Sequence, residues 1–181
     1  MALQAGEKAP PFQLASTSGE PVSLASYRGR KVVLFFYPKD QTPGCTQEAC
    51  DFRDRHEALL DAGAVVFGIS KDSIASHHRF REKQALPYPL LSDPDNSVST
   101  AYGAFGKKMM YGKEVQGTIR STFLIDEEGT IEEVWSPVRV AGHAEAVLNR
   151  VTGTAPAAAA PKKAAAPKKA AAPKKAAARS K

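Results

Sequence analysis

An unbroken apolar run, Lys31-Val32-Val33-Leu34-Phe35-Phe36-Tyr37, stops at Pro38 and gives way to a short loop and then to a helical repeat. Apolar, β-branched and aromatic residues without polar alternation read as a strand buried on both faces, which requires material packed on each side of a sheet. Pro38 to Gly44 must be loop, and Thr46 to Ala62 has the apolar spacing of a helix. Both cysteines of the chain lie at this strand-to-helix junction, Cys45 at or just inside the first helical turn and Cys50 five residues on. Free backbone N–H groups and the positive end of the helix dipole favour a thiolate there, so a low-pKa nucleophile is expected at Cys45. A lone cysteine in an apolar segment usually just packs. Here the pair sits instead among Pro, Gly, Thr, Asp and Gln, which favours chemistry over packing.

The remainder alternates in the same way. Ala64 to Ser70 reads as a strand, Ile74 to Gln84 as a second helix, Pro89 to Ser92 as a short strand and Ser97 to Tyr102 as a helical turn or two. Ser121 to Asp126 and Thr130 to Trp135 form a hairpin turning at Glu127-Glu128-Gly129, and His143 to Val151 closes as a helix. Strands interleaved with helices predict an α/β fold with a central sheet covered on both faces.

Some 150 ordinary globular residues, within a chain that is 43% hydrophobic, suffice for one domain with a proper core. The net charge of +6 divides unevenly: residues 152–181 carry seven lysines and one arginine with no acid, so a tail of +8 follows a body near −2. From Pro161 the tail repeats Pro-Lys-Lys-Ala-Ala-Ala three times, and a proline every six residues prevents the alanines from propagating a helix. The expected organisation is a folded domain over 1–151 and a disordered, low-complexity basic tail over 152–181. The N-terminus lacks the apolar stretch of a signal peptide and no run is long enough to span a bilayer, so a cytoplasmic protein is expected. In that compartment a close cysteine pair is more often catalytic or metal-binding than structural. Zinc is the weaker choice, because Cys-x4-Cys is not a usual spacing and no second Cys or His pair completes four ligands.

Pro38, Thr42 and Cys45 match the Pro-x-x-x-Thr-x-x-Cys signature of peroxiredoxins. Gly44-Cys45-Thr46-x-Glu48-x-Cys50 resembles the bacterioferritin comigratory protein or PrxQ branch of that family. Met110-Tyr111-Gly112-Lys113 and Gly117-Thr118-Ile119-Arg120-Ser121-Thr122-Phe123-Leu124-Ile125-Asp126 are similar to its later motifs. The resemblance covers about residues 3–151 and implies a thioredoxin-like fold with an N-terminal hairpin, for which Phe12 to Leu14 and Val22 to Leu24 are candidates. It implies that Cys45 attacks hydrogen peroxide or an organic hydroperoxide and becomes a sulfenic acid. Cys50 then resolves it into a disulfide, and thioredoxin or a similar dithiol reduces that disulfide. No metal, haem or flavin is implied, and a monomer is expected.

Thiolate formation alone cannot account for a peroxidase, since a thiol of pKa about 8.5 is already about 3% ionised at pH 7 and full ionisation gains only about thirtyfold. Donors aimed at the departing oxygen must supply the rest. The resemblance assigns that task to Thr42 and Arg120 and makes Pro38 the shield of the thiolate. Read without it, Arg120 is a solvated arginine preceding a strand and Thr42 an ordinary loop residue. Cys50 poses a geometric problem: five residues along an ideal helix put the two Cα atoms about 8 to 9 Å apart, and a disulfide needs less than about 7 Å. Oxidation should therefore be coupled to unwinding of the helix start.

Glu48 is expected to cap the helix start. Asp93-Pro94-Asp95-Asn96 reads as a turn that caps a helix rather than a calcium loop. His56, His77, His78 and His143 read as solvated residues on helical surfaces. A general disulfide oxidoreductase is disfavoured by the absence of Cys-x-x-Cys. From another class, the chain could be a nonspecific nucleic-acid-associated protein with a secondary thiol-redox domain. The tail resembles those of histone H1-like proteins, and Lys162, Lys163, Lys168, Lys169, Lys174, Lys175, Arg179 and Lys181 can neutralise phosphates whatever the base sequence, which would place the protein at the nucleoid.

Overall fold

The structure, a computed structural model, describes residues 3–153, so the tail lies outside the described residues from position 154 on. An N-terminal hairpin of β1 (Gln13–Ser16) and β2 (Val22–Ser23) leads through a 3-10 turn at Leu24–Tyr27 into β3 (Lys31–Phe36). Then follow α1 (Pro43–Asp61), β4 (Ala64–Ser70), α2 (Ile74–Gln84), β5 (Leu90–Ser92) and α3 (Ser97–Ala101). A second hairpin, β6 (Phe105–Met110) and β7 (Lys113–Thr118), precedes β8 (Ser121–Ile125), β9 (Ile131–Trp135) and α4 (His143–Thr152). Seven strands form one sheet in the order β2-β1-β5-β4-β3-β8-β9, with β3, β4 and β5 parallel and the outer neighbours antiparallel. This is the thioredoxin-like α/β fold expected from the sequence.

β3 is central and buried from Val32 onward, and its side chains divide the core by alternation. Val32, Leu34 and Phe36 point into a cluster with Phe12, Leu14, Val98 and Tyr102. Val33, Phe35 and Tyr37 enter the opposite cluster, formed with Ala49, Phe52 and Leu59 of α1, Phe80 of α2, and Val147 and Val151 of α4. The Phe35 ring stacks on Phe52 with centroids 4.9 Å apart, which fixes α1 over the strand that leads into it. Gly68 on β4 makes room for this stack, because a Cβ there would lie 2.7 Å from the Phe35 ring and 2.8 Å from Leu90.

Two features depart from the sequence expectation. α1 starts at Pro43 rather than Thr46, with Thr42 as its N-cap; proline lacks an N–H that would be unsatisfied there anyway, and its fixed φ suits the first helical position. The β6–β7 hairpin was not foreseen. It closes on a two-residue turn, Tyr111-Gly112, with both residues at positive φ (51° and 75°), as such turns require. The 93–96 segment does cap α3: the Asp93 carboxylate accepts the backbone N–H groups of Val98 and Ser99 and the hydroxyl of Ser99.

Candidate active site

The early start of α1 makes Cys45 the third residue of the helix, inside the turn whose N–H groups have no intrahelical acceptor. Its side chain is buried, at 1% exposure. Cys45 belongs to the apolar stripe that carries Ala49, Phe52 and Leu59 against the sheet, so the sulfur faces inward. Arg120 reaches it from the link between β7 and β8. That link is pinned on both sides: Ile119 N–H donates to the Ala104 carbonyl at 2.7 Å and the Arg120 carbonyl accepts from Val138 N–H at 2.8 Å. The guanidinium Nη2 donates to Cys45 Sγ at 3.2 Å. Gly44 permits the approach, since a Cβ there would stand 3.3 Å from Nη2.

The other end of the guanidinium is taken by Glu48, whose Oε2 accepts from Nη1 at 2.5 Å. Glu48 is buried at 1% exposure and does not cap α1, contrary to expectation. It lies three residues beyond Cys45 and therefore on the same helical face, where an acid must either find a cation or stay protonated. Burial drives its carboxyl up to about 7; Arg120 opposes that rise and Asp51 adds slightly to it. One guanidinium thus donates to both the Cys45 sulfur and the Glu48 carboxyl.

Thr42 and Pro38 occupy the same loop as the helix start. Pro38 is half-buried directly after β3. The Thr42 hydroxyl donates to the Lys39 carbonyl at 3.0 Å, which leaves its oxygen lone pairs free to accept from a ligand. Cys50 is held apart from this group: its thiol points at the end of α2 and donates to Gln84 Oε1 at 3.5 Å, while Arg53 Nη1 donates to the Gln84 carbonyl at 2.8 Å. Partial burial pushes the Cys50 thiol above its ordinary range, with Arg53 opposing. Both cysteines are free thiols on one continuous helix.

Behind the loop lies a buried polar cluster that the sequence reading missed. Asp40 accepts from the Tyr37 hydroxyl at 2.6 Å, from the Ser76 hydroxyl at 2.8 Å and from His77 Nδ1 at 2.7 Å. His77 Nε2 lies 3.0 Å from the Leu91 carbonyl, so each ring nitrogen has an oxygen partner. Burial alone would raise the Asp40 carboxyl, but hydrogen bonds from His77 and Tyr37 and the charge of His77 hold it below its ordinary value. His143, the first residue of α4, is buried as well; it is 2.8 Å from the Thr122 hydroxyl and stands edge-on to Phe52 and Trp135. Burial, aided by nearby Arg120, lowers its pKa to about 4. The solvated placement expected for histidines thus fails for His77 and His143, both of which fall on the apolar faces of their helices. The spacing of His77 to Phe80, and of His143 to Val147 and Val151, carried that signal.

The chain matches the AhpC/TSA family over residues 5–134. It is 52% identical to the Coxiella burnetii protein bcp over 151 residues, which is 83% of this chain and 100% of that one. The peroxiredoxin Bcp of Bacillus subtilis is 46% identical, over 82% of this chain and 94% of its own. Among solved structures, peroxiredoxin Q of Xanthomonas campestris superposes with a TM-score of 0.75 at 42% identity, covering 78% of this chain and 90% of that one. A structure of the bacterioferritin comigratory protein from the same organism, described for its alkyl peroxide reduction activity, gives the same values. Matched by its sequence, its fold and a cysteine set against an arginine at a helix start, the chain belongs to the AhpC/TSA family, as a peroxiredoxin of the Bcp/PrxQ type.

Proposed function

We propose that the chain reduces hydrogen peroxide and alkyl hydroperoxides through Cys45, with Cys50 as the resolving thiol and a thioredoxin-class dithiol as the reductant. The observation that carries this reading is the 3.2 Å contact between Arg120 Nη2 and Cys45 Sγ within the first turn of α1. A guanidinium donating to the attacking sulfur supports this reading, because a donor there can stabilise charge growing on the departing oxygen. Thr42 accepts the peroxide O–H and Pro38 keeps water from the sulfur. The thiolate attacks one peroxide oxygen, the O–O bond breaks, and Cys45 is left as a sulfenic acid while the other oxygen departs as an alcohol or water.

Cys50 then condenses with that sulfenic acid, releasing water and forming the disulfide. Because Cys50 is tied to Gln84 and lies five residues along the same helix, this step requires α1 to unwind at its start and Cys50 to leave α2. The likeness to the Xanthomonas protein supports alkyl hydroperoxides as substrates. The eight cations of the tail support a further role in nonspecific binding to nucleic acid, separate from catalysis.

Single-turnover experiments test the assignment. Cys45→Ser should consume no peroxide, whereas Cys50→Ser should consume about one equivalent and then stop as a sulfenic acid or mixed disulfide. Multiple turnover by Cys45→Ser would overturn it.

A further inference from the structure

Attack of a thiolate on a hydroperoxide expels a basic oxygen that needs a proton, and the site holds one acid that the scheme above leaves unused. Arg120 donates to Cys45 Sγ through Nη2 and to Glu48 Oε2 through Nη1, so thiolate and carboxyl sit on the two arms of one guanidinium. The other carboxyl oxygen of Glu48, Oε1, is buried and has no hydrogen-bond partner among the described residues. As part of a carboxylate it would carry charge without solvation; as part of a carboxylic acid it is neutral and less costly to bury. The rise of this carboxyl to about 7 through burial agrees with that geometry. The groups facing Glu48 are Arg120 from the β7–β8 link, Asp51 from its own helix, and Tyr88 from the segment before β5; Cys45 and His143 of α4 face Arg120.

We propose that Glu48 is the proton donor to the oxygen expelled when Cys45 reduces a peroxide, a role that rests on the peroxidase reading above. The Sγ–O bond forms as the O–O bond breaks, sulfur giving up two electrons and the peroxide taking them. The attacked oxygen keeps its own hydrogen as Cys45–SOH. The expelled alkoxide takes the Glu48 proton and leaves as the alcohol, and Glu48 remains as a carboxylate. Arg120 faces one full negative charge before the step, on sulfur, and one after it, on Glu48. The net charge buried at the site is unchanged, and neither state leaves an uncompensated ion. When a dithiol later cleaves the disulfide, the Glu48 carboxylate takes up the Cys45 thiol proton and the starting state returns.

The test compares leaving groups. Full-length reduced protein is mixed with tert-butyl hydroperoxide, which expels a strongly basic alkoxide, or with peracetic acid, which expels acetate and needs no proton. Oxidation is followed by the fluorescence of Trp135, whose ring stands 5.6 Å from His143. Glu48→Gln keeps an acceptor for Arg120 but no exchangeable acid, and its rate loss with the hydroperoxide should exceed its loss with the peracid by about a hundredfold. Equal losses with the two oxidants would mean that Glu48 only positions Arg120, and would overturn the proposal. A pH series needs only the wild-type protein: the rate with tert-butyl hydroperoxide should decline as pH rises through about 7, and the absence of that decline overturns the proposal even if the variant fails to fold. Failure of the wild type to consume either oxidant would instead sink the peroxidase reading itself.

Discussion

Gly44 and His143 are single residues whose substitution acts on or through Arg120. A methyl group at Gly44 would meet Arg120 Nη2 at 3.3 Å, so Gly44→Ala must displace the guanidinium by a few tenths of an ångström while removing a glycine from a helix. The expected result is unchanged or slightly raised stability with a peroxide rate lowered by about tenfold, since misplacement of about 1 Å costs about a hundredfold. An unchanged rate measured by stopped flow would show that the donor position is not critical. For His143, the folded-state pKa of about 4 lies below the ordinary 6.5. Its contribution is fully present above pH 6.5; as pH falls toward 4 the unfolded chain takes up a proton that the folded chain refuses, and stability drops by up to about 3 kcal/mol. Glu48 has the opposite sign, because its carboxyl is raised to about 7: stability from this group is present at low pH and lost as pH rises through that value. Urea unfolding of the wild type and His143→Gln from pH 7 to pH 4 separates the two, and equal acid dependence in both proteins would count against a buried neutral His143. Glu48 was open to detection in the sequence: residues 45, 49, 52 and 59 trace the buried face, and an acid at 48 on that face requires either a cation or a proton. What could not be read was which arginine supplies it, since Arg120 is 72 residues away and only the sheet brings the two together.

At the scale of elements, the loop between β3 and α1 is held from behind by α2. Asp40 belongs to that loop and His77 to α2, and their 2.7 Å pair is buried together with Tyr37. Removing one partner leaves the other as an uncompensated buried charge, so His77→Ala should cost about 3–5 kcal/mol. Asp40→Asn with His77→Gln in one chain should cost less than the sum of the two single changes, because no lone charge remains. Additive losses in urea denaturation would argue against a coupled pair. Loosening of the loop should also slow peroxide reduction, since Pro38 and Thr42 ride on it. The helices and strands that build this region were legible because each buries a continuous apolar face: β3, β4 and α2 begin and end within a residue of the positions expected from periodicity. The β6–β7 hairpin was not, because it buries little. Met109, Met110 and Tyr111 are exposed, so the strands lack the alternation that marks a half-buried pair, and only the Tyr111-Gly112 turn betrayed them.

At the scale of the whole molecule, charge is divided unevenly along the chain. The body carries a net charge near −2, and the eight cations follow the last described residue, Gly153, without an acid among them. The family match ends at residue 134, and neither the cysteines nor Arg120, Glu48 and Thr42 lie in the tail. Ending the chain at Gly153 keeps the helix cap intact, since Gly153 takes the left-handed conformation at the end of α4 and Val151 stays packed against the core. The shortened protein should therefore turn over peroxide at the full-length rate, and a loss would show that the tail takes part in catalysis. DNA binding should behave oppositely. If all eight cations engage duplex phosphates, log K falls against log salt with a slope of about −7, so that each doubling of salt weakens binding by about a hundredfold, and partial engagement gives a shallower slope. The sequence of the duplex should not matter, because no base contact is involved. Binding by the full-length chain that is matched by the chain ending at Gly153, or that is insensitive to salt, would remove the tail from any account of how this protein meets nucleic acid.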